Sequence, residues 1–405
     1  MSAAAQEGRG SPPFHGAAAE THDHRNEEIE VLRAVAVLFV LFHHYRGLVV
    51  DYPDWYGYVE GMWSGVDLFF CISGFVIARS LVPALINLRG VAFWREVGAF
   101  WIKRWYRIIP AAWLWIVALM FLFGLKGLKH NSVFWYDTFA AVFQYSNFHF
   151  YRCTVDAAQH CASLQPYWSL SLEEQFYLLI PLVVFLFRKW LWAAVLALAV
   201  WQMLLERHHW TGLTGFLRTD AIALGVLLAI GSRRPAYRRI EPTLLKGPIG
   251  WVVPVLLLGV FAVVARLRPF PLYMGLVALL AMTLVWLASY GKGYIMGPGL
   301  LRSVAVKIGE RSFSIYLGQI VCFVVARKIL SFVLPADTPH VTLKLCLTIL
   351  IGLVALAIGV EASYRLIEVP WRRRGREVAK RFTAPHSGRL AERTSTEDGL
   401  RPLVR

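Results

Sequence analysis

Charge is what this chain has least of. Only 17% of its 405 residues are charged and 57% are hydrophobic, whereas a soluble globular domain carries about 25% and about 45–50%. The shortage excludes an ordinary soluble domain and puts the chain in a bilayer. Other things are missing too. There is no internal repeat, no low-complexity tract and no insertion large enough to be a soluble domain. Residues 1 to 27, "MSAAAQEGRGSPPFHGAAAETHDHRNE", lack the apolar core that a cleaved signal peptide needs and read as a disordered cytoplasmic tail. His22 and His24 within it are better explained as solvated residues than as metal ligands. Cysteines number five. Cys71, Cys322 and Cys346 fall inside apolar runs and read as buried packing residues.

Runs of about 20 apolar residues, enough to span a membrane, begin near Ile29, Met62, Ile108, Tyr167, Leu191, Gly215, Trp251, Leu272, Phe313 and Leu343. The expected fold is therefore all-α: one polytopic membrane domain of about ten transmembrane helices over residues 28–371, followed by a basic tail at 372–405. The net charge of +16 raises the question of nucleic acid, and the distribution of the charge answers it. Arg79, Arg89, Arg95, Lys103, Arg104 and Arg107 crowd one connection, and Arg233, Arg234, Arg238, Arg239 and Lys246 crowd another, while the stretch from Leu125 to Gln165 has far fewer basic residues. By the positive-inside rule the basic loops and both termini face the cytoplasm, so the charge needs no nucleic acid. Cys153 and Cys161 share a loop on the other side, where a structural disulfide is expected if that face is oxidising. The nearby "VFWYDTFAAVFQYSNF" reads as an aromatic interfacial segment.

Against this background the ionisable residues inside apolar runs need a reason. In "EIEVLRAVAVLFVLFHHY", Arg33 and His44 are eleven apart. At about 100° per residue they return to one helix face, about 16 Å apart along the axis, with His43 pointing about 80° away. Taken singly, Arg33 serves equally as a snorkelling anchor and His44 as a core histidine bonded to a neighbour. In "FWIKRWYRIIP", Arg104 and Arg107 are helix neighbours at a cytoplasmic mouth, suited to a polyanion or to simple anchoring. In "PYWSLSLEEQFYLLIP", Ser171 and Glu174 have capping-box spacing, while Glu173 has no such role and is free to orient a histidine, hold a hydroxyl or pair with an arginine. Asp67 in "GVDLFFCISGF" reads as a helix-start residue or a catalytic one. Arg218 and Asp220 in "FLRTDAIALG" read as a local ion pair. Glu361 and Arg365 in "EASYRLIEVPW" read as an i,i+4 pair, with Glu368 beside the Pro370 that ends the last helix.

Together, "LRAVAVLFVLFHH", "GVDLFFCISGF", "KRWYRIIP", "WSLSLEEQFY", "RTDAIALG", "ERSFSIYL" and "LIEVP" resemble, in order, the membrane-bound family often called acyltransferase 3, whose members acylate sugars and other hydroxyl compounds. The match runs from about Glu28 to Trp371. The resemblance implies that Arg33 and His44 are the family's first-helix arginine and histidine. It implies that Arg104 and Arg107 hold a cytoplasmic acyl-CoA, acetyl-CoA being the expected donor, and that Trp168, Ser169, Leu170 and Glu173 form the family's tryptophan–glutamate motif. Catalytic roles are then expected of His44, Arg33 and Glu173, with no metal. His44 would deprotonate an acceptor hydroxyl or carry the acyl group, and Glu173 would orient His44 or the acceptor. Gln319 in "YLGQI" departs from the pattern, since many relatives have histidine there. Some relatives carry an esterase-like domain after the membrane part, so a stand-alone form is expected here. The implied partners are the acyl-CoA donor, a carbohydrate or glycolipid acceptor and the lipid bilayer, with the protein in the inner (cytoplasmic) membrane. A proton-coupled transporter fits the same buried charges, and transfer of succinyl or a longer acyl group fits the same family.

Overall fold

The computed structural model describes residues 26–45, 54–124, 132–156, 161, 164–208, 212–247, 250–333 and 341–384. The N-terminal tail with His22 and His24 lies outside them. Among the described residues all regular structure is helical, as it must be where hydrocarbon offers the backbone no partner outside its own segment. The helices are α1 (Glu27–Tyr45), α2 (Gly65–Leu85), α3 (Gly90–Gly124), α4 (Ser132–Val142), α5 (Ser146–Val155), α6 (Tyr167–Phe187), α7 (Leu191–Met203) and the single turn α8 (Leu213–Phe216). They continue with α9 (Asp220–Gly231), the single turn α10 (Ala236–Arg239), α11 (Val252–Leu267), α12 (Tyr273–Ser289), α13 (Leu300–Glu310), α14 (Ser312–Val333), α15 (Val341–Ser363) and α16 (Val369–Thr383).

The expected apolar runs all fall on helices, but those near Tyr167 and Leu191 join in one stretch, and the one near Ile108 begins inside α3. Among the described residues six stretches are long and apolar enough to cross a membrane: Val59–Leu85, Gly90–Leu122, Tyr167–Met203, Leu213–Gly231, Ser312–Val333 and Cys346–Thr383. α11 and α12 are apolar but shorter. This is an all-α polytopic membrane protein. Large apolar side chains such as Val117, Phe121, Leu178, Leu179 and Leu186 point outward, as they do when the surrounding solvent is lipid. On α4, Trp135, Tyr136, Phe139 and the adjoining Phe143 form an exposed aromatic surface, in keeping with an interfacial segment.

α2 lies at the centre, packed against α1, α6, α9 and α12. Its closest neighbour is α9, and two glycines explain why. A Cβ on Gly74 would sit 2.2 Å from the Ile222 carbonyl oxygen, and one on Gly225 would sit 2.2 Å from that of Cys71. Small residues that let backbones touch are the usual packing device where there is no hydrophobic drive between helices.

The basic loops meet at one end of the bundle. Arg188, after α6, donates to the Ile86 and Leu88 carbonyls, Arg233, after α9, donates to the Arg79 carbonyl, and Lys292, after α12, bonds to Glu241. Glu241 also accepts from Tyr294 at 2.6 Å. The bonds from Lys292 first and Tyr294 second hold its carboxyl down to about 2.

Three expectations about individual residues need correction. Cys346 is exposed on α15, while Cys71 and Cys322 are buried. The last helix does not stop at Pro370. A π-helical turn, Tyr364–Glu368, carries the chain into α16 with the proline in its first turn, where a missing N–H costs little. The first part of the basic tail is therefore folded, and Gly375 lies against the Tyr106 side chain on α3. Finally, Arg218 and Asp220 do not pair with each other. Arg218 lies in the connection just before α9 and Asp220 opens that helix, and each finds a partner from elsewhere: Arg218 with Asp67 at 3.2 Å and Asp220 with Arg207 at 2.5 Å. All four side chains are buried, and the Arg218 guanidinium lies between the Trp63 and Trp168 rings, 5.1 and 4.8 Å from their centroids.

Candidate active site

α6 begins at Tyr167, four residues before Ser171. The capping box read from Ser171 and Glu174 therefore does not form. Ser171 instead accepts from the Ser146 N–H at 3.1 Å, and the buried Oε1 of Glu174 makes no hydrogen bond among the described residues. The early start turns the next acid, Glu173, toward α2, where its carboxylate accepts from the hydroxyls of Ser73 and Tyr177. Those two oxygens are 2.8 Å apart. Tyr177 follows Glu173 by one turn, and its backbone carbonyl accepts from the Trp101 indole N–H at 3.1 Å, which ties α6 to α3.

This trio lies in a cleft of about 90 Å³ walled by α1, α2, α3, α6 and α14. Arg33 of α1 and Arg104 and Arg107 of α3 line the same cleft. The Arg104 guanidinium lies 5.3 Å from the Tyr177 ring centroid and 5.5 Å from that of Phe100. Arg33 donates to Glu30 at 2.8 Å, one turn earlier on α1. Four of the five residues singled out in the sequence, Arg33, Arg104, Arg107 and Glu173, thus share one cavity. Three positively charged groups border it, while Glu173, the only carboxylate among the described residues of its lining, is already engaged by two hydroxyls. Such a cavity suits an anionic ligand whose uncharged portion reaches inward.

Deeper in the cleft, the hydroxyls of Ser169 and Tyr316 are 2.5 Å apart and both reach the Pro166 carbonyl. Trp168, next to Ser169, packs edge-on against Phe70 and Phe216. One turn beyond Tyr316 on α14, Gln319 donates to the Tyr316 carbonyl at 3.0 Å. His44 stands beside this amide. It does not line the cleft, and the described partners of Glu173 are Ser73 and Tyr177, not His44. Polar atoms at the junction remain unpartnered among the described residues: Oε1 of Gln319 and Nδ1 of His44 are both buried.

Ser73, Tyr177 and Tyr316 were not singled out from the sequence. Tyr177 carried a usable signal, since it sits four residues after Glu173 and so on the same face. Ser73 was one hydroxyl in a run of apolar residues, and its role depends on which face of α2 meets α6. At the opposite end of the bundle Cys153 and Cys161 form a disulfide. Beside it His149 is 2.7 Å from the buried Asp137 carboxylate.

A family model described as an acyltransferase domain matches residues 26–359. Over 86% of its length the chain is 27% identical to the peptidoglycan O-acetyltransferase OatA of Listeria monocytogenes, covering 56% of that protein. It is 26% identical to the O-acetyltransferase OatA of Staphylococcus aureus, covering 57%. The chain therefore spans a little over half the length of these curated relatives. No solved structure matches it. The helical bundle, the shared cleft and the domain match over most of the chain lead to one assignment: the protein belongs to the acyltransferase 3 family.

Proposed function

We propose that the protein transfers an acetyl group from cytoplasmic acetyl-CoA to a hydroxyl of a carbohydrate or glycoconjugate, in the inner (cytoplasmic) membrane. The observation that carries this reading is the convergence of Arg33, Arg104 and Arg107 on a cleft that runs inward past the hydroxyls of Ser73, Tyr177, Ser169 and Tyr316. Guanidinium groups bind phosphate oxygens bidentately, so Arg104 and Arg107 hold the diphosphate of the donor and Arg33 steadies it. The pantetheine arm follows the cleft past Ser73 and Tyr177 toward Ser169 and Tyr316. His44, with Gln319 beside it, acts at the far end of this path. A neutral imidazole is available near pH 7, and it takes the proton of the acceptor hydroxyl as that oxygen attacks the thioester carbonyl. The C–S bond breaks, the acceptor leaves as its acetyl ester, and coenzyme A leaves as the thiol. Glu173 holds Ser73 and Tyr177 in place along the arm.

The relatives' names support acetyl over succinyl or a longer acyl group, and a carbohydrate over other alcohols. The test is mass spectrometry of surface glycans from cells carrying wild type, His44→Ala or no copy of the gene. The expected result is an acetyl increment on one glycan in wild type, absent without the gene and reduced about 100-fold or more by His44→Ala. Glycans that are identical in all three would refute the reading.

A further inference from the structure

A second cavity of about 780 Å³ adjoins the first at the basic end of the bundle, and Arg33, Val76 and Arg104 line both. It is a vestibule to the cleft. Its walls carry five arginines from different parts of the chain, Arg33, Arg79, Arg104, Arg233 and Arg302, against two acids, Glu27 and Glu30. Both acids are engaged: Glu30 with Arg33 at 2.8 Å and Glu27 with Arg302 at 2.9 Å. Arg79, Arg104 and Arg233 remain as guanidiniums without an ion pair to a described carboxylate.

Two of these three come from segments that touch. Nη2 of Arg233 donates to the backbone carbonyl of Arg79 at 3.1 Å, while the Arg79 guanidinium lies 5.7 Å from the Phe75 ring centroid. Two exposed guanidiniums on one wall suit a multiply charged oxyanion with several acceptor oxygens. Arg79 and Arg233 line the vestibule but not the cleft, whereas Arg104 lines both. Passing outward, a ligand therefore meets the narrow cleft, then Arg104, then the Arg79 and Arg233 pair. Acyl-CoA has the matching order: a thin thioester arm, a diphosphate, then a ribose bearing a 3′-phosphate.

We infer that Arg79 and Arg233 form a subsite for the 3′-phosphate of the donor's adenosine and make the enzyme selective for 3′-phosphorylated acyl-CoA. This rests on the proposed reading that the donor is acyl-CoA. A phosphate group held by two guanidiniums, each bond charge-assisted, is expected to favour acetyl-CoA over acetyl-dephospho-CoA by about 100-fold in kcat/KM.

The experiment uses the full chain in lipid nanodiscs. The ratio of kcat/KM for acetyl-CoA to that for acetyl-dephospho-CoA is measured for wild type, for Arg79→Gln with Arg233→Gln, and for Arg79→Lys with Arg233→Lys. Partial misfolding scales both rates and leaves the ratio intact. The ratio is expected to fall from about 100 to below about 5 in the glutamine variant, with the lysine variant between. Adenosine 3′,5′-bisphosphate is expected to compete with acetyl-CoA in wild type and to lose potency by a similar factor in the glutamine variant. A wild type that uses both donors equally, or a glutamine variant that keeps the wild-type ratio, overturns the inference while leaving the donor reading intact. A wild type that uses neither donor overturns the donor reading, and the subsite with it.

Discussion

Gly225→Ala is a one-carbon change on α9 that reaches the cleft through α2. The new Cβ would lie 2.2 Å from the Cys71 carbonyl oxygen and 2.8 Å from the Phe75 nitrogen. A carbon and a carbonyl oxygen rest no closer than about 3.3 Å, so the two helices must part by about 1 Å. Both neighbours are backbone atoms inside a helix and cannot turn aside as a side chain would. Overpacking of this kind costs about 1–3 kcal/mol. The larger effect is on function. Cys71 and Phe75 flank Ser73, and a shift of α2 by about 1 Å moves the Ser73 hydroxyl away from Glu173 and Tyr177. Misplacement on that scale costs about 100-fold in rate. The assay is acetyl transfer per folded molecule in nanodiscs, with thermal unfolding in parallel. Gly259→Ala on α11 is the control, because a Cβ there meets nothing within 4 Å. Should Gly225→Ala unfold within about 1 °C of wild type and transfer acetyl within twofold of it, the argument from the α2–α9 contact to the cleft is wrong.

Other consequences can be checked in the same preparation. Arg218→Ala leaves the Asp67 carboxylate buried between helices and is expected to destabilise the fold by about 3–5 kcal/mol. Arg218→Met combined with Asp67→Leu is expected to recover much of that loss, and equilibrium unfolding of both variants decides it. Replacing Cys153 and Cys161 by serine opens a loop with a sequence separation of 8 and is expected to cost about 2.5 kcal/mol on the loop-entropy relation. A reductant should then lower the melting temperature of wild type but not of the variant. Glu241 is pulled down to about 2 by Lys292 and Tyr294, so its contribution is complete above the ordinary carboxylate value and is lost as pH falls toward 2. The difference in melting temperature between wild type and Glu241→Gln should stay constant from pH 7 to about 5 and shrink below that.

The helices were legible in the sequence because their signal is local: apolar runs of sufficient length, each ending at a charged or polar loop. The convergence of Arg33, Arg104, Arg107 and Glu173 was legible only in part. Periodicity puts Arg104 beside Arg107 on one face, but no local pattern says that α1, α3 and α6 meet. Two of the misreadings share a cause. Glu174 and Ser171 fit a capping box by spacing, yet Tyr167 had already begun the helix. Arg218 and Asp220 are close in sequence, yet Asp67 and Arg207 were within reach from elsewhere. In each case a tertiary partner replaced the local one. His44 shows the opposite limit. The sequence puts it on the Arg33 face of α1, but only the structure shows that it stands beside Gln319 of α14 and outside the lining of the cleft.

The central claim is that the arginine-lined cleft receives the acyl-CoA donor, and equilibrium binding tests it most directly. Radiolabelled acetyl-CoA is titrated against the full chain in nanodiscs, as wild type and as Arg104→Gln with Arg107→Gln, with folding matched by unfolding temperature. The account predicts saturable binding to wild type and a dissociation constant raised about 100-fold or more in the variant, from the loss of two charge-assisted contacts. Equal affinity in the two proteins, or no saturable binding to wild type, would contradict it.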